Sequence, residues 1–497
     1  MIYIVLLLGV LLVLASVYGY RLSSKTAVDY LLAGRSIGTI VMFFYVYFAI
    51  SSAWTFYGFA GMLYNTGPAY MLYFTFASFA FLYIFVGPKL WAAGKKYGYF
   101  TPLEYLGERY QSTTLRVALG VTLVLFSFPY IGLQAVGIGA GMKAAVGFPF
   151  WFGASYLCVI MLLICLFGGI RSAAWLNVLL GLIFTITFFG FLFWIMLKTG
   201  NMNLVDVAAR AQQAKPGLLT VPGPGGVWGP QNLLGLALAG MLIMALPHIV
   251  MGTMQAKNTI VMRKMAIALL IFSFFFCNVA GIWGYLVSPV LVPGLTGKAS
   301  DAIIQIAIGK YLPSWANGGT LLAVLAAAIS TVTVQLMMVG LFVSRDIICA
   351  SRPDVSDKKL VFWSKLAMVV AAPLSFFIAM ARPAELGLML SNLAGPGFAL
   401  WAPCLLGGLF WKRGTKQGSI AGLLAGVAWL IIGSFFYKPF LLGFHPIIVP
   451  LFVDTILYIF VSMVTSPVPK ETQHKFFEAL DQYLTEYAAE QRLSGKG

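Results

Sequence analysis

Thirteen apolar windows set the terms for this chain: 2–20, 37–64, 69–91, 116–141, 149–168, 173–197, 232–254, 264–288, 318–344, 361–381, 386–411, 418–437 and 446–466. A helix needs about 20 residues to cross about 30 Å of hydrocarbon. In lipid every backbone N–H and C=O must be bonded within the structure, which leaves helices or a closed barrel. With 60% of the 497 residues hydrophobic, 15% aromatic and hardly any long polar stretch, helices are the reading. A charged fraction of 9% and a mean hydropathy of +0.91 exclude a soluble globular protein. The expected fold class is an all-α polytopic membrane protein with about 13 transmembrane helices. It fills residues 1–466 as one domain, and a tail follows at 467–497.

Numbering the windows as spans 1 to 13 and alternating their loops sorts the charge. Twenty-four of the 32 Lys and Arg residues fall on one side, which by the positive-inside rule is the cytoplasm, so the chain is expected N-out/C-in. The net charge of +17 is therefore a topological signal and not a nucleic-acid footprint. The run Ile2 to Tyr20 has neither a basic start nor a small-residue cleavage site and reads as a first span. Cys158, Cys165, Cys277, Cys349 and Cys404 lie in or beside apolar segments without CxxC spacing, as packing residues do. Three histidines, His248, His445 and His474, are too few and too scattered for haem pairs.

Between spans 6 and 7, the loop from Thr199 to Gln231 ends in VPGPGGVWGP, which reads as an irregular cap over the outer mouth. In the tail, Phe476, Leu480, Tyr483, Leu484 and Tyr487 recur at helical spacing, with Glu478, Asp481, Glu486 and Glu490 on the other faces. That pattern predicts a short amphipathic cytoplasmic helix, too small for an output domain. In YFTPLEYLGERY, Pro102 suits a helix start, and Glu104 and Glu108 read as carboxylates of a surface helix, since no nucleophile accompanies them.

Two stretches carry polar atoms where lipid-compatible ones are expected. FAISSAW (Phe48 to Trp54) interrupts span 2 with Ser51 and Ser52, and LAAAISTVTVQ (Leu325 to Gln335) puts Ser330, Thr331 and Thr333 in span 9. A lone hydroxyl in a membrane helix usually bonds back to its own helix, so the adjacent pair Ser330 and Thr331 is the stronger signal. A small hard cation is served by carbonyls and hydroxyls without a carboxylate.

Taken together, TPLEYLGERY, FGGIRSAAWLNV, LPHIVMGTMQAKN, LAAAISTVTVQ and GLFWKRGTKQGSIAGLLAG resemble, in order and spacing, the recurrent segments of the sodium/solute symporter family along essentially the whole chain. The resemblance implies a LeuT-like inverted-repeat fold, in which spans 2–6 and 7–11 are the repeats and spans 2 and 7 break near the midplane. It implies a co-transported sodium ion held by the Phe48, Ser51 and Ala327 carbonyls and the Ser330 and Thr331 hydroxyls. Ile50 departs from the family, whose proline and sugar branches commonly carry Asp or Asn there, a difference that bears on sodium affinity.

For substrate, the N–H groups of Ser52, Ala53 and Trp54 follow the expected break and suit a carboxylate. Tyr130 and Gln134, one turn apart, are candidates to face the same site or to pack against each other. Pro247 and His248 mark span 7, where the histidine either meets substrate or bonds a carbonyl freed by the proline. Ala239 and Ile243 stand where the proline branch has aromatic residues. SAWTFYGFAGMLY and FPYIGLQAVGIG resemble the branch that carries short monocarboxylates such as pyruvate, lactate or acetate. Asp454, a carboxylate well inside span 13, is outside the family's repeat core and reads as a structural or protonated group more than a coupling one.

The expected function is a sodium-coupled secondary symporter, not an enzyme. It imports a short monocarboxylate by alternating access through a bacterial-type inner membrane. Its partners are the small organic substrate and the lipid bilayer, not nucleic acid, and it is expected to be monomeric. A proton-coupled permease using His248 or Asp454, an amino-acid (proline-like) permease and a non-transporting membrane sensor are the alternatives.

Overall fold

The computed structural model describes residues 2–21, 26–73, 77–352, 354–381 and 386–493. Lys25 and Lys496, which contribute to the charge bias, and Arg382, which runs against it, lie outside them. Among the described residues the chain is helical throughout, and its sole strand-like pairing is a parallel bridge between Ile37 and Ala256. Eight helices are single runs long and apolar enough to cross a membrane. A ninth crossing is a bent pair, Thr39–Ile50 and Trp54–Thr66, whose axes meet at 58°.

The remaining windows are helical but interrupted or short. Spans 5 and 6 form one continuous assignment, Phe150–Lys198, turned at Gly169, whose φ of 64° suits a residue without a side chain. The Tyr30 ring lies 2.6 Å from where a Cβ on Gly169 would sit, so the turn and its packing both demand glycine. Span 7 runs as Pro230–Met241, a tighter turn at Leu242–Ala245, an extended Leu246, then Pro247–Gln255. Proline without an N–H is tolerated at the restart. The Ala245 carbonyl left over at the break accepts from Trp401 Nε1 at 2.6 Å.

Burial separates the centre of the bundle from its rim. The crossing Ser314–Ile348 has 94% of its apolar window buried within the protein, against 28% for Asp357–Ala381. Span 9 is thus the axis, and the outer helices present their apolar faces to lipid. Span 12, Lys416–Ile431, meets span 13, Ile448–Val464, through Gly418, Gly422 and Gly426, which let the backbones approach closely. Asp454 sits in this contact at 2% exposure, against Gly422.

The helix Pro102–Arg109, between spans 3 and 4, begins with a reciprocal cap between Thr101 and Glu104. It is not the surface helix that the sequence suggests. Glu104 is buried, accepting from Arg345 Nε at 2.7 Å and facing Arg116 at 3.3 Å, while Asp346 takes Arg116 Nε at 2.7 Å and the Thr101 hydroxyl at 2.8 Å. Burying a carboxylate is tolerable only with such partners. Glu108 faces outward and pairs with Lys475 at 2.7 Å.

The tail is two helices, Lys470–Phe476 and Glu478–Leu493, docked on the core. Phe476 and Leu480 are buried, Phe476 meets Tyr105 edge-on at 5.2 Å, and Tyr487 lies 4.8 Å from Trp91. The loop between spans 6 and 7 contains a helix, Leu204–Ala214, before its Pro/Gly-rich turns, and Trp228 Nε1 donates to the Thr66 carbonyl at the C-terminal end of span 2. All five cysteines are buried and unlinked.

Candidate functional site

The break in span 2 is built by its own side chains. A continuous helix would send the Ser52 N–H to the Phe48 carbonyl and the Ala53 N–H to Ala49. Instead Ser52 N–H donates to Thr55 Oγ1 at 3.1 Å, and Ala53 N–H donates to Gln134 Oε1 at 2.8 Å. The Trp54 N–H donates to Ser52 Oγ at 3.2 Å. Short polar side chains thus compete with the ladder and release the Phe48 and Ala49 carbonyls.

The freed Phe48 carbonyl meets span 9. Ser330 Oγ lies 2.7 Å from it and 2.8 Å from the Ala327 carbonyl, and Thr331 Oγ1 lies at 3.1 and 3.0 Å from the same two oxygens. Each hydroxyl has one proton and two lone pairs, so two protons serve four short O···O contacts. When the hydroxyls turn their lone pairs inward, four oxygens face one another, while Ser51, with ψ of 88° at the end of the first half-helix, takes no part in these four contacts. Oxygen donors without a carboxylate suit a monovalent hard cation. Among the described residues no group of three or more His, Cys, Asp or Glu forms a transition-metal site. The structure therefore brings together Phe48, Ala327, Ser330 and Thr331, from two spans some 280 residues apart in sequence. Thr333 bonds to its own helix at the Ile329 carbonyl and takes no part. Ile50 is buried at the end of the half-helix, and its carbonyl takes the Thr55 hydroxyl at 3.3 Å.

The expected carboxylate receptor is organised differently. The N–H groups of Ser52, Ala53 and Trp54 are each taken by a side-chain oxygen, because the break caps itself. The donor left over is Gln134 Nε2, which is buried and has no hydrogen-bond partner among the described residues. One turn earlier, Tyr130 places its ring 5.4 Å from His248 and 5.9 Å from Phe398. His248, the first residue after Pro247 at the restart of span 7, shares a 2.6 Å hydrogen bond between Nδ1 and Gln335 Nε2. Trp54 packs its ring on Phe59 and Tyr73. Ser51 through Trp54, Tyr130, Gln134, Pro247, His248, Ser330, Thr331 and Gln335 are all buried, so this conformation is closed to water around the midplane.

Gln335 has no role in the sequence reading. Its position one turn after Thr331, at the end of the same hydroxyl-bearing stretch, is the signal that marks it. Asp454 lies on a different helix pair and reaches none of these residues by any recorded hydrogen bond.

A membrane bundle with two broken helices, a cluster of carbonyl and hydroxyl oxygens between spans 2 and 9, and buried polar groups at the breaks is the arrangement expected of an ion-coupled secondary transporter. The chain belongs to the Sodium:solute symporter family, whose family model matches residues 30–426. It is 26% identical over 479 residues to the high-affinity proline transporter PutP of Bacillus subtilis, covering 93% of this chain and 97% of that one. It is 25% identical to the sodium/pantothenate symporter of Escherichia coli, covering 95% and 96%. Among solved structures, a substrate-bound, outward-open Na+-coupled sialic acid symporter superposes with a TM-score of 0.75 at 17% identity, over 93% of this chain and 97% of that one. Mhp1, a nucleobase-cation-symport-1 family transporter in a closed conformation, gives a TM-score of 0.53 at 14% identity over 91% and 98%. The fold is the LeuT-like one. The protein is a sodium-coupled symporter of the bacterial plasma membrane and not an enzyme.

Proposed function

We propose that the chain imports a short monocarboxylate together with sodium, with the N terminus outside and residues 467–497 inside. Phe48, Ser51, Ala327, Ser330 and Thr331 hold the ion, and Gln134, Tyr130 and His248 face the substrate beside the span 2 break. The observation that carries the substrate class is the Gln134 side chain. Its Oε1 is held by the Ala53 N–H, which fixes Nε2 as a donor, and that donor is buried without a partner. A buried donor left unmade costs about 1–3 kcal/mol, and a carboxylate oxygen removes that cost. The relatives' printed substrates, proline and pantothenate, both bear a carboxylate, which agrees with this class.

Small size is supported by the surroundings, where Trp54, Tyr130 and Phe398 pack ring against ring or lie close to the break. Sodium binding ties span 2 to span 9, substrate completes closure, and loss of sodium to the cytoplasm releases both. A second reading, proline, is favoured by the Bacillus subtilis relative. It is opposed by Ala239 and Ile243, which leave span 7 without aromatic side chains at those positions.

Proteoliposomes loaded by an imposed sodium or proton gradient decide among these. Lactate, pyruvate or acetate uptake driven by sodium is the expected result. Uptake of proline alone overturns the monocarboxylate reading, and uptake driven by a pH gradient but insensitive to sodium overturns the coupling.

A further inference from the structure

We infer that Gln335 is a specificity-determining residue of the substrate site. Its side-chain carbonyl accepts a hydrogen bond from a donor group next to the substrate carboxylate, so that a 2-hydroxy acid is preferred over a 2-oxo acid or acetate. The inference rests on the monocarboxylate reading and deepens it.

The orientation of the Gln335 amide follows from a chain of partners. The Ala49 carbonyl, released when Ala53 N–H turns to Gln134, lies across from the His248 ring. His248 Nε2 makes no fully formed hydrogen bond, but an N–H is the group that suits a facing carbonyl. With the proton on Nε2, Nδ1 is an acceptor, and Gln335 Nε2 donates to it across 2.6 Å. Gln335 Oε1 is then left as a buried acceptor, and it has no partner in the protein.

The other side of the site is a fixed donor, Gln134 Nε2, one helical turn from Tyr130, whose ring is 5.4 Å from His248. A ligand that reaches both groups has to offer an acceptor to Gln134 Nε2 and a donor to Gln335 Oε1. Lactate supplies its carboxylate to Gln134 and its hydroxyl proton to Gln335. Pyruvate and acetate carry acceptors only and leave Gln335 Oε1 unmade or set against a like group. A site built to bond a substrate hydroxyl rejects an analogue lacking it, because its own buried atom goes unpaired.

The test is uptake of labelled L-lactate, pyruvate and acetate at saturating sodium by full-length wild type, Gln335→Leu and Gln335→Met in proteoliposomes. The wild type is expected to favour lactate over pyruvate by about tenfold or more in kcat/KM. Both substitutions bring the ratio towards one by raising KM for lactate, while the sodium half-saturation measured with pyruvate stays near wild type. The second variant keeps side-chain length and flexibility should the branched one assemble poorly. Pyruvate or acetate transported as well as lactate by the wild type overturns the inference and leaves the monocarboxylate reading standing. A lactate preference that survives both substitutions also overturns it. Uptake of none of the three acids removes the underlying reading itself.

Discussion

Ser330→Ala is the most direct probe of the ion site. The Ser330 hydroxyl contacts the Phe48 and Ala327 carbonyls at 2.7 and 2.8 Å, and the Thr331 hydroxyl contacts the same pair at 3.1 and 3.0 Å. Removing Ser330 Oγ leaves one proton for two buried carbonyls, so the fold itself loses about 1–3 kcal/mol. On the proposed assignment the bound cation loses one of five oxygens, an interaction with a charged group that contributes about 1.5–3 kcal/mol. That converts to a rise in sodium half-saturation of about 10- to 150-fold. The same loss is visible without transport. With sodium set at about 100 times the wild-type dissociation constant, binding stabilises the wild type by about 2.7 kcal/mol, and a 30-fold weaker site by only about 0.8 kcal/mol. Thermal unfolding of purified protein in sodium against potassium reads this difference, and uptake at varied sodium reads the half-saturation. Wild-type sodium dependence in a Ser330→Ala, Thr331→Ala double variant would refute the assignment.

Three further outcomes are expected. Gly422→Ala forces a Cβ to about 2.4 Å from Asp454 Oδ1 and 2.5 Å from its backbone oxygen, so spans 12 and 13 must separate, whereas a Cβ at Gly190 meets nothing within 4 Å. The melting temperature in detergent falls for Gly422→Ala and is unchanged or raised for Gly190→Ala. His445, outside the spans and 5% exposed, accepts the Ile447 N–H at Nδ1 and is held neutral by burial, its pKa pushed down to about 4. The unfolded chain takes up a proton first, so stability is full above about pH 6.5 and declines towards pH 4, by roughly 3 kcal/mol in all; His445→Gln should flatten that acid arm of a thermal-unfolding series. In the tail, Phe476→Ala loses a buried ring worth about 3–5 kcal/mol and should open residues 467–493 to limited proteolysis. Asp481→Asn removes only the exposed Lys89 pair, at 2.7 Å, and should leave the tail protected.

Span 2 shows where legibility ended. Ser51 and Ser52 mark the interruption in sequence, but their N–H groups looked available for a carboxylate. Only the fold supplies Gln134, 81 residues away, to take the Ala53 N–H and leave its own amide as the donor. The same distance problem hid Gln335. A glutamine at the end of LAAAISTVTVQ has no visible partner until span 7 breaks at Leu246 and Pro247 and turns His248 towards it. Glu104 was misplaced on a surface because Arg345, its partner, is 241 residues further on.

What the sequence alone determined follows from local and compositional physics. Long apolar windows specify membrane helices because the bilayer demands internal backbone bonding, the basic loops specify an orientation, and Ser330 beside Thr331 in an otherwise apolar span marks an oxygen site. What only tertiary structure decided is which atoms meet. The Phe48 carbonyl is free to meet Ser330 and Thr331 because Thr55 takes the Ser52 N–H, and span 9 becomes the axis because helices packed on its sides bury it. Gln134 joins the span 2 break through the Ala53 N–H, and His248 meets Gln335 and Tyr130, only through hydrogen bonds and ring contacts between separate spans. Periodicity within a single helix carries no record of those encounters, since they depend on which faces the packed bundle turns together.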